Sequence, residues 1–423
     1  MASFLFPLLY SAAVHALPAV PPQLDHSFQP RSFALPVRIN PDHLPDGPVA
    51  LAAAYSKWGI PVPNSLDEHI LSRREGTAED SYWLTDIFIG NPLQKIPVII
   101  DTASPDFWLM STDTDFAGAA VNGVPVLYDP SKSGTSIEVQ DSSWQTKYHD
   151  GSSASGKVYL DTLRLGLDFD NNKFWVYNAT IQSAAAVSKR FAVDPNSSGI
   201  LGLAKKSQSH VNPLQPSMVE RIKNESHFPF IGIDLRSDSS KGFFDFAYGL
   251  RTPEVREPPM PEDEHWSFKI VRSRTNSMPD NSWYSSPNLV ATVDTATSLL
   301  LLPDDLVSRY YADIPQSAHD PVLKAYVFPC ALASGIPDYT FHTKGGYTGT
   351  VTKEYINFGP IPGRDDVCYG GIQSSQSETR AILGGVALKS LYVQLNFDDD
   401  GDFVSFANKG SMDVCRVTTA CET

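Results

Sequence analysis

Basic residues are scarce in this 423-residue chain. Lys and Arg number 33 against 48 Asp and Glu, a formal net charge of -15, and they form no cluster. Nucleic acid is excluded as a partner, because phosphate binding needs a basic face. The acidity serves solubility, and it also suits an acidic medium, where few basic groups mean less self-repulsion. No stretch approaches the roughly 18 consecutive apolar residues of a spanning helix, so no membrane partner is expected. His-Glu-x-x-His, Cys-x-x-Cys, Gly-x-Ser-x-Gly and phosphate-loop patterns are all missing. Without them, the common zinc, thiol-redox, serine-hydrolase and nucleotide chemistries have no foothold. No metal and no cofactor are expected.

What is present is a chain with 42% hydrophobic and only 19% charged residues. That is enough to bury a large core, built as two lobes rather than one. Abundant Ser, Thr, Gly, Pro and aromatics suit a β-rich extracellular protein. Phe4 to Val14 is apolar and Val14-His15-Ala16 offers small-residue cleavage, so residues 1–16 read as a signal peptide, though without a basic n-region. Residues 17–74 are Pro-rich and poor in β pattern apart from a helix-like stretch, Pro48 to Trp58. They end at the dibasic Arg73-Arg74, which reads as the end of a propeptide. Cys330 and Cys368 lack metal-type spacing and a companion His, which favours a disulfide over zinc. Cys415 and Cys421 sit close together in a tail spanning 411–423. Sequons occur at Asn178, Asn196 and Asn224, and N-glycosylation is expected there in a secreted protein.

Beyond Tyr82 short alternating strands dominate, among them TDIFIG, IPVIID, KVYLDTLRLG and KFWVYNATI. The clearest helical period is Pro303 to Tyr311. A charged, Pro-rich run at residues 251–265 reads as the connection between an N-terminal lobe, 75–255, and a C-terminal lobe, 256–410. The two halves repeat each other. VIIDTAS at 98–104 answers ATVDTAT at 291–297, and each is followed, about 90 to 100 residues later, by Ile-Leu-Gly, at 200–202 and 382–384. One such tetrapeptide means little; two with the same sequel imply duplicated lobes.

These motifs resemble those of the pepsin-like aspartic proteases, nearest to the secreted fungal penicillopepsin and aspergillopepsin types. IGNPLQ, DTASPDFWL, the flap-like WQTKYHDGSSASGKVYLDTLRLG, VDTATSLLLLP and the closing ILGGVALKSLYVQLNFDDDGDFVSFA carry the likeness from about Tyr82 to Lys409. The resemblance implies an all-β, bilobal pepsin-like fold with the active-site cleft between the lobes. It implies Asp101 and Asp294 as the catalytic pair, with Thr102 and Thr295 hydrogen-bonded across the interface. Ser104 and Thr297 would contact the outer carboxylate oxygens. Tyr148 would be the flap tyrosine, bonded to Trp108, and Asp150 the flap acid that accepts a basic side chain. It also implies a Cys330–Cys368 disulfide.

The chemistry stands on its own terms. Two carboxylates sharing one proton supply both a base for water and an acid for the carbonyl oxygen and leaving amine; aspartic-protease dyads are the standing example of that split. Both loops read Asp-Thr-Ala where the family has Asp-Thr-Gly. Ala103 and Ala296 keep the amide but add a methyl group, tolerable only if φ is negative. His149 replaces a flap glycine and Gly385 stands where an Asp is common. AYSKWG at 54–59 resembles the proregion segment that crosses the cleft, and Lys57 is expected to pair with the carboxylates near neutral pH and release in acid.

The expected protein is thus a secreted, monomeric acid endopeptidase acting on peptide or protein substrates, with its own propeptide as intramolecular inhibitor. The competing expectation is a silent or narrowly specialised pepsin-fold protein that binds peptides or processes one substrate.

Overall fold

The structure, a computed structural model, describes residues 32–40, 45–72, 83–116, 125–148, 152–166, 173–188, 191, 194–205, 209–225, 230–236, 242–247, 255–279, 282–397, 401–407 and 409. The signal peptide, the dibasic site, His149, Asp150, Cys415 and Cys421 lie outside them.

The architecture is mostly β, as the strand pattern implies, and its sheets gather in two β-rich halves, as the resemblance implies. Fourteen of the described strands hydrogen-bond in one continuous order. A seven-stranded sheet and a four-stranded sheet complete the second half. The long order starts with Val255–Arg256, Phe403–Ala407 and Tyr392–Asn396, so C-terminal strands pair directly with Phe230–Asp234 of the first half.

The internal repeat becomes a repeated pairing. In the first half, Gln94–Asp101 runs parallel to Gly199–Gly202, with Ile100 opposite Leu201. In the second, Tyr284–Val293 runs parallel to Arg380–Leu383, with Val293 opposite Leu383. The chain then returns antiparallel along the same partner, Phe107 against Leu201 and Leu300 against Leu383. Each Ile-Leu-Gly strand is therefore wedged between the strand that delivers an aspartate and the strand that leaves it. Its glycine has no room for more. A β-carbon at Gly202 would meet the carbonyl oxygens of Ser104 and Asp106 at 2.5 Å, and one at Gly384 those of Thr297 and Leu299 at 2.3 Å.

The segment before residue 75 is more ordered than its composition suggests. Ser32–Ile39, not expected as a strand, pairs with Gly242–Ala247 on one side and Trp83–Ile89 on the other. Phe33, Leu35 and Val37 are buried there, alternating as one strand face must. The expected helix runs Gly47–Lys57 and a second follows at Asn64–Ser72. Pro303 to Tyr311 appears as the helix Asp304–Ala312.

The predicted Cys330–Cys368 bridge is present. Asn178 and Asn224 are exposed and Asn196 is half-buried.

Two measurements check this fold. Replacing Cys330 and Cys368 by Ser opens a loop of 38 residues and should lower stability by about 4 kcal/mol in urea unfolding. Gly202→Ala and Gly384→Ala, each driving a methyl into backbone oxygens, should each cost about 1–3 kcal/mol.

Candidate active site: a carboxylate pair under one lysine

The two repeated strands end at Asp101 and Asp294, which are 4% and 0% exposed. Two threonines fasten their loops together. Thr102 N–H donates to Thr295 Oγ1 and Thr295 N–H to Thr102 Oγ1, both at 3.2 Å. Each hydroxyl donates a hydrogen bond to the opposite strand, Thr102 to the Val293 carbonyl at 2.9 Å and Thr295 to that of Ile100 at 2.7 Å. All four bonds are buried, and they fix the carboxylates relative to one another.

Lys57 closes over the pair. Its Nζ donates to Asp101 Oδ1 at 2.8 Å and to Asp294 Oδ1 at 2.7 Å. The helix that carries it is aimed by local chemistry. Asp46 caps the N-terminus by accepting from Val49 N–H at 3.2 Å, and Pro48 fits the first turn. Gly59, at φ 69°, ends the helix, and Ile60 N–H returns to the Tyr55 carbonyl at 2.8 Å. Buried Tyr55 pins the helix to the second half, donating to the Ser374 carbonyl at 3.1 Å. Lys57 thus sits in the last turn, where the helix dipole favours a cation.

Trp58 was not foreseen. Its Nε1 donates to Asp294 Oδ2 at 2.9 Å. The only signal was its adjacency to Lys57.

The two carboxylates are not equivalent. Asp294 receives four donors: Lys57, Trp58, the Ala296 amide at 3.0 Å and the Thr297 hydroxyl at 2.6 Å. Asp101 receives two, Lys57 and the Ala103 amide at 2.8 Å, both on Oδ1. Burial pushes both carboxyls toward the neutral form. At Asp294 the Lys57 charge and the added donors outweigh it, and the pKa falls below 3.8. At Asp101 burial, reinforced by the Asp294 charge, prevails and the pKa is raised. Burial alone would lower the Lys57 pKa, but the two carboxylates outweigh it and hold the ammonium above 10.5.

Ser104 departs from the expected symmetry. Its hydroxyl accepts from Asp106 N–H at 3.4 Å and makes no bond to Asp101, whereas Thr297 does reach its aspartate. The two alanines are accommodated: neither has a positive φ, and both amides donate to the neighbouring carboxylate. The Ala296 methyl packs against the apolar cluster that holds Trp108, Trp144 and Phe191.

The hairpin of Ile137–Lys147 and Ser153–Leu165 brings Tyr148 to that same cluster. Trp108 Nε1 donates to the Tyr148 hydroxyl at 3.2 Å, and Phe191 packs on both rings at 5.2 Å. Phe191, far along the chain, carried no motif.

A pair of buried carboxylates bridged by one cation can hold a water in the cation's place once it leaves, and can exchange a proton across it. Among the described residues there is no His/Cys/Asp/Glu group that could hold a metal.

The family model for eukaryotic aspartyl protease matches residues 82–409. Endothiapepsin of Cryphonectria parasitica is 30% identical over 376 residues, covering 84% of this chain and 86% of its own length. Aspergillopepsin-1 of Emericella nidulans is 29% identical over 406 residues, covering 94% and 96%. Penicillopepsin-3 of Penicillium janthinellum is 30% identical over 369 residues, covering 84% and 86%.

Depressed Asp294 contributes stability above 3.8 and loses it as the pH falls through its lowered value. Raised Lys57 keeps its contribution below 10.5 and loses it only as the pH rises through its own value. The clasp is therefore closed at neutral pH and opens from the acid side. Lys57→Ala in the intact chain leaves two buried charges uncompensated and should cost about 3–5 kcal/mol at pH 7. The loss should shrink below pH ~4, near the ordinary carboxylate range; urea midpoints at pH 3 and 7 that shift equally would contradict it. Trp58→Phe should cost about 1.5–3 kcal/mol, the range for a bond to a charged group.

Proposed function

Because this chain belongs to the eukaryotic aspartyl protease family and is an aspartic endopeptidase, we propose that Asp101 and Asp294 are its catalytic pair and that it is made as a secreted zymogen silenced by residues 17–74. Lys57 carries the reading: one ammonium from the N-terminal segment bridges both carboxylates of the duplicated motif.

The mechanism follows from that geometry. In acid, protons reach the carboxylates, the attraction for Lys57 fades and the segment leaves. A water takes the place between the two carboxyls, which then share a single proton; that proton belongs to the pair rather than to either residue. The ionised carboxyl removes a proton from the water as its oxygen attacks the scissile carbonyl carbon. The protonated carboxyl gives its proton to the carbonyl oxygen, forming a tetrahedral diol. Proton return to the amide nitrogen lets the C–N bond break. Thr102 and Thr295 hold the two loops in register through this cycle, Thr297 and the amides of Ala103 and Ala296 orient the carboxylates, and Tyr148 closes over the substrate from the hairpin, steadied by Trp108. Asp150, from its place in the flap sequence, is the proposed acceptor of a basic substrate side chain. Domain limits at 75–255 and 256–410, glycans at the three sequons and a monomeric state complete the proposal.

No helix among the described residues is long and apolar enough to cross a membrane, and the disulfide suits an oxidising compartment.

The test is hydrolysis of denatured casein between pH 2.5 and 7 by chain freed of residues 17–74. Acid-dependent cleavage should be blocked by pepstatin, whose hydroxyl mimics the diol. Asp101→Asn should lower kcat at least about a thousandfold, because one remaining carboxyl cannot serve as base and acid together. Lys57→Ala should raise the pH at which the precursor becomes active; an unchanged activation pH would refute the clasp as the inhibitory device.

A further inference from the structure

His265 lies outside every motif that marks the carboxylate site, yet it borders the site. Its ring meets the Trp58 indole edge to face, with centroids 5.1 Å apart and planes at 70°. Trp58 in turn donates to Asp294. One side chain therefore separates His265 from the carboxylate pair.

The backbone holds the ring firmly in place. His265 N–H donates to Asp263 Oδ1 at 2.9 Å. Its neighbour Trp266 is fully buried and bonds to the Leu203 carbonyl of the other half at 2.8 Å. The ring nitrogen Nδ1 is different: it is buried and has no hydrogen-bond partner among the described residues. A buried polar nitrogen without a partner costs free energy, and such atoms in a native site call for an explanation. The described residues offer the nitrogen no partner, while the side chain packed on its ring belongs to the segment proposed to leave.

We propose that His265 is a specificity-determining residue: it walls the subsite that Trp58 fills in the precursor, and in the mature enzyme its imidazolium selects an acidic substrate side chain, Asp or Glu, at that position.

Four charged groups act on the ring through their fields. Asp263 and Asp294 favour its protonation, while Arg380 and Lys57 oppose it. Burial is the largest influence and holds the imidazole below its ordinary 6.5 in the intact chain. Departure of the N-terminal segment removes the Lys57 charge and the indole that covers the ring, so both changes favour the cation. Asp263 is engaged in capping the His265 backbone and leaves the ring edge to a ligand. Arg380 is a further positive charge close enough to act on the ring. An arriving carboxylate gives Nδ1 the partner it lacks.

Because this selectivity presupposes the endopeptidase reading, binding and cleavage are measured separately, at pH 5, on chain freed of residues 17–74. The probes are hexapeptides carrying Glu or isosteric Gln at each position flanking the scissile bond, and reduced-bond versions that cannot be cut. At one position Glu should be preferred by about fivefold in both kcat/KM and Kd, the upper range for a partly exposed ion pair. The ratio should fall toward one as the pH rises to 7.5, and should be near one in His265→Phe and His265→Gln at pH 5. Equal Glu/Gln ratios in wild type and variants, or a wild-type ratio that ignores pH, would overturn the proposal. A preference seen in binding without any cleavage keeps the subsite and sinks Asp101 and Asp294 as a working catalytic pair. Cleavage with no preference at any position does the reverse.

Discussion

Two carboxylates buried side by side repel each other, and one ammonium reconciles them. Everything around the site serves that arrangement. The duplicated strands set the aspartates at equivalent ends, the Ile-Leu-Gly strands hold the loops from behind, and the crossed threonines prevent the halves from drifting apart. The capped helix then delivers Lys57 at the one height where its nitrogen reaches both Oδ1 atoms. A buried charge pair held by good geometry is costly to break and weak as a source of net stability. On the proposed reading its value is as a stopper, since the electrostatics that would make the pair reactive also make it attract the lysine.

The doubled alanine tests how much of the Asp-Thr-Gly pattern is chemistry. What the carboxylate needs from the third residue is an amide, and both alanines supply it at ordinary distances with φ that any residue can adopt. At Ala296 the methyl finds apolar neighbours in the cluster beneath Tyr148. The asymmetry between the loops lies elsewhere, in the hydroxyl of Thr297 that reaches Asp294 while that of Ser104 turns to its own loop. The second carboxylate is consequently the better stabilised anion while the clasp is closed.

The parts legible in the sequence are those written twice or written in a fixed pattern. Asp101 and Asp294 stood out because the same tetrapeptide recurs with the same sequel, and the disulfide because only two cysteines lie within the strand-rich region. Lys57 was legible from its short motif. The strand Ser32–Ile39 was hidden because its partners, Gly242–Ala247 and Trp83–Ile89, lie far along the chain and its Pro36 reads as a breaker. Trp58, Phe191 and His265 were hidden for another reason. Their roles come from what packs beside them across long stretches of sequence, and an aromatic or a lone histidine has no spacing rule that announces such a neighbour.

The strand Ser32–Ile39 changes what removal of the N-terminal segment means. It is not draped over the cleft but sewn into the interior of the longest sheet, with a partner on each side. A peptide bond cut near residue 74 severs the chain without freeing this strand, which still holds both neighbours through its backbone. The proposed loss of the segment would therefore be two events of different kinds, a covalent break and a later unzipping. The second exposes two raw edges where one seam had been, and such edges readily pair with other chains. If the segment is removed as proposed, the intact chain is the form that assembles, and the freed enzyme would keep a shape it did not fold alone and could not readily regain.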